Sequence, residues 1–232
     1  VKAQAEITRG QLITARAVEA RLMAERDKKS EIDFPPFLLT ALDDPRATSS
    51  VSLQKQLFLS RRSVLKHEIE ALDESITGMN LQVSGLEQAR KSKEEQRLFL
   101  KEQLTNMREL AQEGYVPRNR VLELERLHAQ LNSDLSTDIG NIGRLRRQIS
   151  EFNLKRLQRL EEYQREVHQQ LTDVQREAES LNSRLLAQDF ELANVFVKAP
   201  VDGVVVGIAV FTRGGIIGPG FRIMDIVPSD DM

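Results

Sequence analysis

Residues 112–118 read Gln-Glu-Gly-Tyr-Val-Pro-Arg, and on either side of Pro117 lies a long stretch without proline, back to Pro45 and forward to Pro200. Because proline breaks the interior of a helix, these stretches are where long helices are permitted. Gly114 suits the left-handed position that ends a helix, and Pro117 suits the first turn of the next one. The sequence therefore predicts two long helices joined by a tight turn.

Both stretches carry the alternating spacing of apolar residues that is typical of coiled coils. The first contains Leu65, Ile69, Leu72, Ile76, Met79, Val83 and Leu86. The second contains Leu124, Leu127, Leu131, Ile142, Leu145, Ile149, Phe152, Leu160, Tyr163, Val167, Leu171, Val174, Ala178, Leu181 and Leu185. Such seams need a partner helix, so the two arms should pack antiparallel against each other. Residues whose numbers add up to about 231 should then face each other across the turn.

The seam has a polar middle section. Arg90, Lys93 and Arg97 occupy places that apolar residues hold elsewhere, and Gly140 and Gly143 stand opposite in the second arm. Each glycine inside a helix costs about 1 kcal/mol, and it can serve a close approach of thin helices, a local bend or a functional hinge. We expect this section to be loose or bent.

A shorter helix precedes the arms, ends near the Phe-Pro-Pro sequence at 34–36 and is followed by an irregular segment that reaches Ser50. We predict helices at about residues 2–30, 50–113 and 118–193, with the hairpin tip at 113–119. At about 1.5 Å per residue the first arm would be about 95 Å long. Because the second arm is longer, the leading helix should lie partly beside the hairpin base and form a local three-helix bundle.

Composition disfavours several classes of function. Charged residues make up 29% of the chain and aromatic residues only 5%, which suits thin helices better than a large globule. The net charge of -2 provides no basic surface for nucleic acid, and the absence of cysteine leaves no thiolate metal site. No run approaches the roughly 20 apolar residues of a membrane span. The chain begins at Val1 without a methionine, and we expect it to be part of a longer protein.

The pattern changes after Phe196, where short β-branched runs alternate with glycines. These runs predict three or four short strands at 194–228, followed by a tail at 229–232. About 35 residues are too few for a core of their own. We therefore assign residues 1–193 to an α-helical hairpin domain and 194–228 to a β-rich motif that depends on other chain segments.

The β-rich motif resembles the second half of the lipoyl-like domain in HlyD-type membrane fusion proteins, the periplasmic adaptors of type I secretion systems. The resemblance rests on Ala199-Pro200-Val201-Asp202-Gly203-Val204-Val205, Gly214-Gly215, Pro219-Gly220 and Ile226-Val227-Pro228. It extends to Arg21–Arg26 with Phe34-Pro35 and to Leu110–Leu127. In this family an α-helical hairpin interrupts the lipoyl-like fold, which is the order seen here. The resemblance thus implies a mainly α protein: a long antiparallel coiled-coil hairpin, a shorter third helix and half a lipoyl-like motif.

The resemblance also implies a location and a set of partners. The protein would be periplasmic and anchored in the bacterial inner membrane by a segment outside these residues. Its partners would be an inner-membrane ABC transporter, an outer-membrane channel met by the hairpin tip, and an unfolded secreted protein. The assembly would be a homo-oligomer, a hexameric ring. The β end would be incomplete and would leave a strand edge exposed.

The candidate partner-binding site is the hairpin tip. We define the tip patch as Leu110, Gly114, Tyr115, Val116, Pro117 and Arg118. Tyr115 and Val116 are the strongest candidates, because an exposed aromatic beside an apolar residue at a turn is costly unless a partner covers it. Leu110 would either close the end of the hairpin or contact the partner. Of the Arg, Leu and Ser or Thr that mark the tip of many members, only the leucine has a counterpart here, Leu110.

Nothing in the sequence indicates an enzyme, so we expect no catalytic residue, metal or cofactor. His67, His128 and His168 are scattered and are interpreted as solvated helix positions. No glycine-rich phosphate loop precedes a helix, and no acid is paired with a base. Lipoyl-like folds can carry a modified lysine in a strand hairpin, but the matching strand here ends at 225–229 without one, and Lys198 is interpreted as a surface residue.

One alternative from another class stays open at this point. A cytosolic coiled-coil scaffold or a chromosome-associated structural protein could share the heptads and the turn. Such a protein would have no need of the Asp-Gly and Gly-Gly sequences near the C-terminus. A transmembrane segment encoded upstream and a β-rich domain encoded downstream would distinguish the adaptor from this alternative.

Overall fold

The computed structural model describes residues 2–40, 44–210 and 214–228. Its elements are α1 (Lys2–Arg26), α2 (Pro36–Thr40), α3 (Pro45–Gln112), α4 (Arg118–Ala193), β1 (Gly203–Val206) and β2 (Asp225–Pro228). The predicted fold class is confirmed: the protein is mainly α, with a long hairpin, a further helix and a small β end. The tail predicted at 229–232 lies outside the described residues. The chain divides into two compact units, residues 13–177 and residues 1–12 with 178–232.

The first helix is shorter than the sequence predicted. It ends at Arg26, not near residue 30, because Lys28 adopts a left-handed conformation with φ of 55°. The backbone N–H of Lys29 then donates to the carbonyl oxygen of Ala24 at 2.9 Å. This bond satisfies one of the carbonyl groups that a helix end leaves without an intrahelical partner.

The third helix begins earlier than predicted, at Pro45 rather than near Ser50. Asp44 precedes it in an extended conformation, and its side chain accepts a hydrogen bond from the backbone N–H of Arg46 at 2.9 Å. Proline fits this first helical position because its missing N–H would have had no intrahelical acceptor there. The prediction of an irregular segment that reaches Ser50 is therefore wrong for residues 45–50, which are helical.

Within the unit of residues 13–177, α3 and α4 pack antiparallel. Six ion pairs connect them: Arg61–Glu166, Glu68–Arg159, Asp73–Arg156, Glu87–Arg146, Lys93–Asp138 and Arg108–Glu125. The two residue numbers of each pair add up to between 227 and 233, which confirms the predicted register. At about 1.5 Å per residue, the 68 residues of α3 give this helix a length on the order of 100 Å.

Three helices meet at the base of the hairpin. Leu22 of α1 packs in one cluster with Tyr163, Val167 and Leu171 of α4, and Leu65 of α3 packs against the same cluster. The side chains of Leu22 and Val167 are fully buried. The predicted three-helix bundle is therefore confirmed, and burial of these apolar side chains from three helices stabilises it.

A buried polar network connects the same three helices. Arg21 Nε donates to Gln54 Oε1 at 2.7 Å, and Arg21 Nη1 donates to Glu25 Oε1 at 2.6 Å. Arg61 Nε lies 3.3 Å from Glu25 Oε2, and the Arg61 guanidinium lies 5.4 Å from the centre of the Tyr163 ring. Burial of the Tyr163 phenol, together with the nearby negative charge of Glu25, raises the pKa of Tyr163. The pairing of these charges makes their burial tolerable.

The glycines of the hairpin have no close neighbours. A Cβ atom added at Gly140 or Gly143 would meet no atom of the described residues within 4 Å, and the same holds for Gly78 and Gly85 of α3. The interpretation that Gly140 and Gly143 allow a close approach of the two helices is therefore wrong. Their absent side chains leave open space, so packing between α3 and α4 does not require glycine at either position.

The other unit contains the small sheet. β1 and β2 pair antiparallel, from Gly203 opposite Pro228 to Val206 opposite Asp225. Gly203 is required here, because a Cβ at this position would lie 2.1 Å from the carbonyl oxygen of Val227. The prediction of three or four strands is wrong for the described residues, which contain two. Two short strands bury neither face, and the valines of β1 are accordingly exposed.

Candidate functional site: the hairpin tip

Backbone hydrogen bonds fix the shape of the turn at residues 113–117. The turn is shorter than the predicted tip at 113–119, because α4 begins at Arg118. Gly114 has φ of 86°, and its N–H donates to the carbonyl oxygen of Ala111 at 3.3 Å. The N–H of Tyr115 donates to the carbonyl oxygen of Leu110 at 2.9 Å. These two bonds form a Schellman motif, which ends a helix where the next residue can adopt a left-handed conformation. The predicted left-handed cap at Gly114 is confirmed.

The return helix starts immediately after this motif. Arg118 is the first residue of α4, and the N–H of Arg120 donates to the carbonyl oxygen of Pro117 at 3.0 Å. The ring of Pro117 holds φ near the helical value, so the chain enters α4 with little further loss of backbone freedom. A glycine that ends one helix and a proline that precedes the next thus make the reversal.

The tip patch exposes apolar surface to solvent. Tyr115 is 77% exposed and Leu110 is 40% exposed, and the backbone bond between them brings these two residues together at the turn. Val116 is half-buried, whereas Pro117 and Arg118 are exposed. The patch therefore combines an aromatic ring, an aliphatic side chain and a cation on a turn of defined backbone conformation. Aromatic residues and arginine are the residue types enriched at protein interfaces.

A buried apolar cluster closes the hairpin directly below the tip patch. It contains Leu100 and Leu104 of α3 with Val121 and Leu124 of α4. Met107, Ala111 and Leu131 pack against it. Leu110 is not a member of this cluster, so the structure does not support the interpretation that Leu110 closes the end of the hairpin. The cluster therefore stabilises the end of the hairpin without a contribution from the exposed residues Leu110 and Tyr115.

The seam of α4 near the tip differs from the predicted one. Leu127 was assigned to the seam, but it is 55% exposed, and the neighbouring His128 is half-buried in its place. His128 Nδ1 lies 3.2 Å from Asn132 Nδ2, so the interpretation of His128 as a solvated position is also wrong. A strict alternation of three and four residues from Val121 passes through Leu124 and His128, and this spacing could have revealed both errors.

Leu127 contributes to a groove that was not predicted from the sequence. The groove lies between α3 and α4 and has a volume of about 340 Å³. It is lined by Gln96, Phe99, Leu100, Gln103, Leu127, Gln130, Leu131 and Asp134. Phe99 is 71% exposed. The sequence did contain a signal for the exposure of Phe99. This residue directly precedes the seam residue Leu100, and adjacent residues on a helix do not face the same side.

The described residues also bear on the predictions about metal sites and membrane spans. Among residues 2–40, 44–210 and 214–228, no three His, Asp or Glu side chains are grouped closely enough to hold a metal ion. His67 instead lies 3.4 Å from Glu70 on the surface of α3. In the same described ranges, no helix has both the length and the apolar character needed to cross a bilayer.

Comparison with known proteins places this hairpin in a family. Residues 1–190 match the family model described as AprE, long α-helical hairpin. The chain belongs to this family. It is 39% identical over 217 residues to the alkaline protease secretion protein AprE of Pseudomonas aeruginosa, covering 94% of this chain and 50% of that protein. It is 42% identical over 214 residues to the proteases secretion protein PrtE of Dickeya chrysanthemi, covering 92% and 48%.

A solved structure supports the same assignment. The crystal structure of the soluble domain of LipC, a membrane fusion protein of a type I secretion system, matches with a TM-score of 0.91 and 42% identity. The match covers 98% of this chain and 86% of the LipC chain. The resemblance to membrane fusion proteins of type I secretion is thereby confirmed. The chain spans about half the length of the curated relatives that it matches.

Proposed function

We propose that the chain is the hairpin part of a periplasmic adaptor that links an inner-membrane ABC exporter to an outer-membrane channel. In this proposal the hairpin supplies reach, and the tip patch docks on the channel. The observation that carries it is the exposure of Tyr115 and Leu110 on a rigid turn, above a cluster that already closes the hairpin. Family membership and the names of the relatives support the secretion role.

The proposal extends to the rest of the assembly. The protein is anchored in the inner membrane by a segment outside these residues, and it forms a homo-oligomeric ring, a hexamer, around the exporter. Its cargo is an unfolded exoprotein, and two of the relatives are named for the secretion of proteases. Residues 194–228 contribute half of a lipoyl-like module that is completed elsewhere, and the division of the chain at residue 193 stays a prediction. The proposed role is tethering, without catalysis.

The proposal is tested in cells that express the full-length adaptor, its exporter and its channel. Two substitutions in the tip patch, Tyr115→Asp and Val116→Asp, place charge where apolar contact is proposed. Loss of a central interface residue costs about 2 kcal/mol or more, so channel recruitment should fall about 30-fold. The amount of channel that is crosslinked to the adaptor and co-purified with it is measured, together with the exoprotein in the medium.

The matched control is Leu81→Asp in α3, which changes a residue that is 70% exposed but far from the tip in sequence. It should leave recruitment and secretion unchanged. Full recruitment of the channel by the doubly substituted tip would overturn the docking role of the tip patch. The alternative of a cytosolic or chromosome-associated scaffold is not favoured, since the relatives are named as secretion components.

A further inference from the structure

The half of the hairpin nearer the tip contains two independent features that weaken it, and both lie at the same level. The section comprises residues 85–97 of α3 and residues 134–146 of α4, which face each other in the observed register. We call it the polar section. It lies within the unit of residues 13–177 and does not overlap the tip patch.

The first feature is the seam itself. Arg90, Lys93 and Arg97 are half-buried at seam positions of α3, where Val83 before them and Leu100 after them are buried apolar residues. Opposite them, Asp138 is buried in α4 and accepts a hydrogen bond from Lys93 Nζ at 2.6 Å. Cations at seam positions bury less apolar surface than leucine would, and polar seam residues reduce the stability of a coiled coil.

The second feature is the set of glycines at this level. Gly85 lies in α3, and Gly140 and Gly143 lie in α4. An added Cβ at any of the three would meet no atom of the described residues within 4 Å. None of them has a positive φ, so alanine would fit all three positions without strain. Relative to alanine, each glycine lowers the equilibrium constant for forming its helix about fivefold. No packing requirement explains why glycine is present at these positions.

We propose that the polar section is a hinge at which the hairpin bends and locally opens. The three glycines loosen the two helices at one level. Leu135 and Ile142 of α4 are buried here, but seam positions 90, 93 and 97 of α3 hold cations instead of apolar residues, which reduces apolar packing between the helices. In the closed state, the hydrogen bond from Lys93 to Asp138 holds α3 and α4 together across the seam of this section. A long hairpin that bends at this section can place its tip over a range of positions. The inference rests on the contacts within the hairpin and is independent of what the tip binds.

Hydrogen exchange of the intact chain tests the opening. Amides of residues 85–97 and 134–146 should exchange at least tenfold faster than those of the apolar seam at 65–83 and 149–167. Replacing Gly85, Gly140 and Gly143 together by alanine should slow exchange in the polar section by about 100-fold, since the three factors of about five multiply. The seam on either side should be unaffected. Equal exchange rates in the polar and apolar sections of the natural chain would overturn the proposal.

Distance measurements test the bending. The chain contains no cysteine, so spin labels can be attached to cysteines introduced at the exposed positions Lys66 and Glu102, on either side of the hinge in α3. The distance distribution should be broad in the natural sequence and narrower after the triple glycine replacement. Gly78→Ala is the matched control, because Gly78 also has open space but lies outside the polar section, where the neighbouring seam residues Ile76 and Met79 are apolar. A distribution that the triple replacement leaves unchanged would contradict a hinge at this level.

Discussion

Lys93 and Asp138 lie 45 residues apart in sequence and meet across the hairpin, with Lys93 Nζ 2.6 Å from Asp138 Oδ2. Asp138 is buried, whereas the side chain of Lys93 remains one-third exposed. A buried carboxylate is tolerated when a cation is held close to it. The pair therefore allows the polar section to close, even though seam positions 90, 93 and 97 of α3 hold cations in place of apolar residues.

Removal of the Asp138 carboxylate should destabilise the hairpin. Asp138→Ala leaves the ammonium of Lys93 without its closest partner and is expected to lower the free energy of unfolding by about 1.5–3 kcal/mol. Glu87→Ala is the control, because the Glu87–Arg146 pair is exposed and should contribute less than about 1 kcal/mol. Urea unfolding followed by circular dichroism measures both. Equal losses from the two substitutions would show that the seam position of Asp138 is unimportant.

The bundle at the hairpin base should depend on Leu22. This side chain is fully buried between α1 and α4, so Leu22→Ala is expected to cost about 2–5 kcal/mol through lost burial and the cavity that remains. Leu154→Ala makes the same chemical change in α4 where the leucine is 55% exposed, and it should change stability by less than about 0.5 kcal/mol. Urea unfolding of both variants gives the comparison, and similar midpoints would argue against the bundle.

Two replacements of glycine by alanine should change the stability of the chain in opposite directions. Gly114→Ala forces a side chain into the left-handed region at the turn and should destabilise the chain by about 1–2 kcal/mol. Gly78→Ala adds a methyl group inside α3 where space is open, and it should stabilise the chain by about 1 kcal/mol. Thermal unfolding measures the two shifts. A stabilising effect of Gly114→Ala would be incompatible with the observed Schellman motif.

Alkaline pH should weaken the base of the hairpin through Tyr163. Burial and the charge of Glu25 raise the pKa of Tyr163, so the folded chain favours the protonated phenol. The stabilisation is complete below the ordinary tyrosine pKa of about 10 and is lost as the pH rises through the raised value. Tyr163→Phe should abolish this contribution to the pH dependence of the unfolding free energy. Tyr115→Phe, at an exposed phenol, should leave it intact, and identical pH profiles for the two variants would refute the prediction.

The sequence determined the hairpin because its signals are local and repeated. A glycine and a proline in one short segment specify where the chain turns, and many seam residues in each arm then have only one antiparallel alignment. The three-helix base followed from the unequal lengths of the arms. The start of α3 was predicted too late along the chain. Pro45 can end one segment or begin another, and the cap that Asp44 provides decides that it begins the helix.

Only the tertiary structure decided which near-seam residues face the partner helix. Leu127 and His128 are adjacent, and apolar character alone selected the leucine, whereas the geometry of the hairpin turns His128 inward and leaves Leu127 exposed. The same geometry brings Lys93 to Asp138 and leaves Gly140 and Gly143 in open space. Sequence periodicity fixes the stripe on each helix to within about one residue. The rotation of each helix about its axis is settled by packing between the two, which no local pattern encodes.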